Sequence, residues 1–216
     1  MDFPTDPLGY FRDEALSPER AEEAQTIYRL IGRNVVLLQQ MEQMLRHLLV
    51  NTNISSEHGS LVAQTKARAE SVGTRGMGGL IKDYSKQVLQ TGQLPEEDDG
   101  SHFSLSFKVN QDGITEEGRE QQMKRIVAAR NQLVHDLQFH WVPGNAANYE
   151  ALRSWLEKLF HESANEWYAL RLQILALHHM GTLLIDQFES GFFDLDAEGQ
   201  SAWYASRGIA VGPDED

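Results

Sequence analysis

Apolar residues recur at three- and four-residue steps along most of this chain, the period of a helix lying on a core. The clearest run is Ile27, Ile31, Val35, Leu38, Met41, Leu45 and Leu49. Ser17-Pro18-Glu19 precedes it and has the chemistry of a helix start: a serine that caps, a proline suited to the first position, and an acid for the positive end of the dipole. The pattern predicts a helix from there to about Val50. Polar residues 51–60 read as a loop. Gly73, Gly76, Gly78 and Gly79 punctuate a second loop, and a helix over about 79–89 follows. Another helix is predicted over 115–139, with Thr115 as its cap, stopping before Pro143-Gly144. A long helical stretch over 147–188 comes next, with Asn165 and Gly181 as candidate breaks, and then a short helix over 197–206.

A single segment alternates with period two. Phe103, Leu105, Phe107 and Val109 are interleaved with Ser104, Ser106 and Lys108, the signal of a half-buried strand. Gln111-Asp112-Gly113 reads as a turn, but no partner strand follows it. The expected fold is therefore all-α: an up-and-down bundle of about five helices with a small β-strand or hairpin insertion near 102–114. Residues 1–16 read as an N-terminal tail, 17–190 as the helical domain, and 191–216 as a short helix with an acidic tail. No internal repeat or low-complexity segment interrupts this organisation.

Composition narrows the function classes. With 216 residues, one domain is the better expectation than two very small ones. There are no cysteines, which excludes disulfides, thiolate metal sites and a cysteine nucleophile. No apolar run approaches the roughly 20 residues that span a bilayer, and the acidic, aromatic start is unlike a signal or transit peptide. No membrane partner and a cytoplasmic location are the expectation. The net charge of −13 opposes broad nucleic-acid binding. It is unevenly spread, however. Residues 61–90 carry Lys66, Arg68, Arg75, Lys82 and Lys86 against Glu70 and Asp83, whereas 91–120 are strongly acidic. A local positive surface is compatible with the total.

The helix at 115–139 holds the candidate chemistry. Met123, Ile126, Val127, Leu133, Val134 and Leu137 form its apolar stripe, and at about 100° per residue the stripe centres on Arg130. A charge there needs a partner. Asn131 and His135, at i and i+4, share one flank, and Lys124 lies on the same flank two turns earlier. A cation, an amide and an imidazole thus converge at the edge of an apolar face. Histidine titrates near neutrality and moves protons. Arginine offers a planar fork for phosphate oxygens. That makes His135 a candidate general base or acid, Arg130 a phosphate clamp, and Asn131 a positioner. The alternative is a structural role, for which Glu42, within the first helix's stripe, is the candidate partner of Arg130.

Ala129 to Leu137 reads ARNQLVHDL, and its Arg-Asn-x-x-x-His core resembles the signature of HEPN domains, all-helical ribonuclease and toxin domains. Arg130, Asn131, Val134 and His135 match the family's pattern, and a long first helix and a long helix after the motif fit its fold. The strand near 103–109 and the C-terminal extension depart from it. The resemblance implies a homodimer in which two motifs meet. It implies cleavage of RNA with the ribose 2′-OH as nucleophile, no cofactor and no metal, in a toxin–antitoxin or antiphage-defence setting, with an antitoxin or regulatory protein as a further partner. The competing expectation is a catalytically inactive HEPN-like interaction module that binds a protein or a nucleotide-like ligand.

Other features point to less. Gly73-Thr-Arg-Gly-Met-Gly-Gly79 lacks the Gly-Lys-Ser/Thr ending of a phosphate loop and reads as a helix entry, although Arg75 beside it can touch an anion. His178 and His179 are adjacent, so they face different ways and make no helical metal pair. Trp155, Trp167, Leu156, Leu159, Phe160, Leu170 and Ile174 are core or dimer-interface candidates before they are a stacking platform.

Overall fold

Ser17 opens helix α1, Pro18–Asn51, by accepting a hydrogen bond from the Arg20 amide at 3.4 Å, with Pro18 in the first turn. The computed structural model describes residues 17–57, 61–89, 102–107, 116–136, 149–192 and 195–209. The tail at 1–16, the turn signals at 111–113, the Thr115 cap, Leu137, Pro143-Gly144 and the acidic terminus lie outside the described residues.

Along α1 the predicted stripe is buried at Ile27, Leu38, Met41, Leu45 and Leu49, joined by Leu48. Each such side chain contributes roughly 1.5–3 kcal/mol on burial. The stripe also takes in Asn34, whose amide nitrogen donates to the carbonyls of Leu30 at 2.9 Å and Leu156 at 3.0 Å. Strand β1, Asn53–Glu57, follows, then α2, Leu61–Gly73, and α3, Met77–Tyr84, which runs on as a π-helical turn, Ser85–Leu89. Strand β2 is His102–Ser106, α4 is Glu116–Asn131 with a second π-helical turn at Gln132–Asp136, α5 is Tyr149–Glu189, and α6 is Ala197–Ser206. The all-α class holds, with one two-stranded ribbon.

That ribbon differs from the expected insertion. β2 pairs antiparallel with β1, from Asn53 opposite Ser106 to Glu57 opposite His102, and the Phe107 amide adds a bond to the Thr52 carbonyl at 2.7 Å. The partner is a segment that composition alone marked as loop, and it lies upstream of α2 and α3. A hairpin needs its partner next in sequence; this strand has it at the end of α1 instead. Two further differences concern helices. α2 forms where no helix was predicted, and Leu61, Val62 and Val72 are its only large apolar residues, too few for a stripe like that of α1. α5 passes through Asn165 and Gly181 unbroken. A glycine in a helix costs only about 1 kcal/mol, and the flanking turns carry that easily.

The chain divides into two compact units, Met1–Gln173 and Ile174–Asp216, and the division falls within α5. In the first unit α1 packs on α2 and α3, and α3 packs on α4. Its core gathers Leu80, Ile81, Met123, Ile126, Leu156 and Leu170 around the α1 stripe. In the second unit Phe192 meets Trp203 and Tyr204 edge-on at 4.9 and 5.2 Å, and Arg207 lies over the Trp203 ring at 3.7 Å while bonding Asp186 at 2.6 Å. Asp196 caps α6 by accepting from the Gly199 amide at 2.9 Å. Among the described residues no helix is long and apolar enough to cross a membrane.

Candidate functional site

The stripe of α4 determines what reaches the site. Arg119, Met123 and Ile126 are buried at steps of four and three, and Arg130 comes next on the same face, half-buried. Arg130 opens into a groove of about 770 Å³ lined by Val36, Gln39, Gln40, Glu42, Gln43 and Met44 of α1 and by Trp167 of α5. Its guanidinium Nη1 donates to Asn131 Oδ1 at 3.1 Å, which uses one edge of the fork and holds its plane.

The π-helical turn then changes the register. In a continuous α-helix at about 100° per residue, Arg130 and His135 would stand about 140° apart. A π-helical turn, with bonds from i to i+5, turns less per residue than an α-helix, and such turns recur at functional sites. The turn Gln132–Asp136 follows Arg130 and Asn131 and carries His135, which is not among the residues that line the Arg130 groove. It also splits the predicted stripe: Leu133 is 4% exposed, whereas Val134 is 50% exposed. His135 and Asn131 are both exposed.

Two supporting residues are placed otherwise than expected. Glu42 lines the Arg130 groove, but the ion pair it makes is with Arg46, one turn along its own helix. At i, i+4 that partner is available without any tertiary constraint. Lys124 is exposed and pairs with Glu120 at 2.7 Å, again at i, i+4, so it stands on the outer surface of α4 and not among the groove residues.

A buried polar layer, not anticipated from the sequence, joins α3, α4 and α5. Arg119 pairs with Glu166 at 3.4 Å, both nearly inaccessible, and Arg119 also stands over the Tyr84 ring at 6.0 Å. The Tyr84 hydroxyl donates to Gln173 Oε1 at 2.7 Å. Burial raises the Glu166 carboxyl above its ordinary value, and Arg119 only partly offsets this. Burial likewise pushes the Tyr84 phenol up to about 12. The sequence did carry a signal. Arg119 sits one turn before Met123 on the stripe that drew notice to Arg130. Leu156, Leu159, Ser163, Glu166, Leu170 and Gln173 recur at alternating steps of three and four on α5.

Compared with family models, with curated proteins and with solved structures, the chain gives no match.

Proposed function

We propose that this chain is a HEPN-type, metal-independent endoribonuclease that acts as a homodimer, in a toxin or defence role. The observation that supports the proposal is the open groove into which Arg130 reaches, with Asn131 bonded to its guanidinium and His135 exposed on the π-helical turn that follows. In the proposed reaction the ribose 2′-OH attacks the neighbouring phosphorus. The O2′–P bond forms and the P–O5′ bond breaks, giving a 2′,3′-cyclic phosphate and a 5′-OH. His135 takes the 2′-OH proton or delivers the proton to the 5′ oxygen, and the second copy's motif supplies the complementary group. Arg130 neutralises charge on the phosphorane oxygens, and Asn131, through the 3.1 Å bond, keeps its fork in plane.

The test is incubation of purified protein with total and transfer RNA in excess EDTA. His135→Ala should lower cleavage by about 10²–10⁴-fold, and Arg130→Ala by about 10²–10³-fold, with both variants folded by circular dichroism. Equal cleavage by all three proteins overturns the site. The net charge of −13 favours the alternative, a catalytically inactive interaction module. That module predicts a cellular phenotype indifferent to His135→Ala and dependent on exposed apolar residues such as Tyr168 and Leu172.

A further inference from the structure

Within an acidic chain, one corner is cationic. Arg68 of α2 donates to Gln87 Oε1 at 2.8 Å, and Arg75, between α2 and α3, pairs with Asp83 and donates to Ser71 Oγ at 3.2 Å. These contacts clasp α2 to α3 and hold two guanidiniums close enough that Arg68 has its pKa lowered, by burial first and then by Arg75. Lys82 and Lys86 each precede by one residue the Asp83 and Gln87 that make the clasp. Both are exposed, and among the described residues neither has an ion-pair partner. Glu70 stands beside Lys66 at i, i+4, on the opposite side of α2 from Arg68.

This corner is contiguous with the groove. Arg46 bonds the groove residue Glu42 on one side and donates to the Arg75 carbonyl at 2.9 Å on the other. The start of α3 also lies against the motif helix: a Cβ at Gly78 would stand 3.7 Å from Val127 Cγ1, one turn before Arg130. The corner thus gathers Arg46, Arg68 and Arg75 with the exposed Lys82 and Lys86 against two carboxylates, Glu42 and Asp83, and the Arg46 bonds link it to the groove that Arg130 lines.

We infer that the α2–α3 corner is a phosphate-binding track that leads single-stranded RNA into the Arg130 groove; the inference rests on the ribonuclease proposal. The net negative charge disfavours a polyanion over the molecule as a whole, so a nucleic-acid backbone needs a local gathering of cations such as this one. Trp167 lines the groove with the Arg171 guanidinium 5.5 Å from its ring centre, an aromatic–cation pair against which an unpaired base stacks and which a duplex base cannot reach. Lys82 and Lys86 supply the phosphate contacts, because the arginines already hold the clasp.

The test uses the full chain with His135→Ala, so that RNA stays intact. Anisotropy follows a labelled single strand of about 20 nucleotides, somewhat longer than one binding groove typically covers, over about 50–200 mM salt. Adding Lys82→Ala and Lys86→Ala should weaken binding about tenfold and lower the slope of log K against log salt by about 1.4, two contacts' worth for a single strand. Lys158→Ala, an exposed α5 lysine paired with Glu162, should change neither. If the parent binds RNA and the double variant binds it equally, the track is overturned and the ribonuclease proposal stands. If the parent binds no RNA, both fall. If polyglutamate competes as strongly as RNA and with the same lysine dependence, the surface takes acidic protein segments and the RNA assignment fails.

Discussion

Arg119 and Glu166 show how a single buried pair can be unequal in its two halves. The raised carboxyl value of Glu166 means that its neutral form suits the fold better than its ionised form. A group whose folded value is raised contributes stability that is complete below its unfolded value, about 4.5 here, and lost as pH rises through the folded value. Glu166→Gln, which imitates the neutral acid, is therefore expected to hold or raise the melting temperature at pH 7, with its advantage over wild type shrinking toward pH 4. Arg119→Met leaves a carboxylate buried alone and should cost about 3–5 kcal/mol at neutral pH. Combining the two should restore most of that loss. Thermal melts of the four proteins at both pH values check this, and a severe loss on Glu166→Gln alone would overturn it.

At the scale of elements, the π-helical turn after α4 decides which side chains are core. In a straight α-helix Leu133 and Val134 would share the stripe, but the turn buries one and exposes the other. Leu133→Ala should cost about 2–5 kcal/mol, whereas Val134→Ala should stay within about 0.5 kcal/mol. Equal losses in urea titrations would show a continuous α-helix there. The cap of α6 is a second case: Asp196→Ala removes the acceptor of the Gly199 amide and should cost about 1 kcal/mol in the second unit. Strand pairing belongs to this scale as well. The alternation at 103–109 was legible, but Asn53–Glu57 has polar composition and no alternation of its own, so its role appears only once the end of α1 meets β2.

For the whole molecule, the charge distribution outweighs the total. A net of −13 by itself discourages a polyanionic substrate, yet Arg68 and Arg75 are drawn together with the segment of Lys82 and Lys86 by the bonds to Gln87 and Asp83. The proposed composite site also makes a statement about assembly. Light scattering should return twice the chain's mass, and a strictly monomeric protein would remove the second motif from the reaction.

The sequence by itself determined the helical class, the start of α1 at its Ser-Pro cap, the stripe that α1 buries, and the oddity of Arg130 on an apolar face. These are local consequences of period, capping chemistry and the cost of burying charge. Tertiary structure alone decided the rest. Glu42 turned to Arg46 and Lys124 to Glu120, since a neighbour one turn away on the same helix costs least to meet. Trp167 came to the groove, and Arg119 found Glu166, because those pairings join helices far apart in the chain, and a one-dimensional pattern carries no information on which faces will meet.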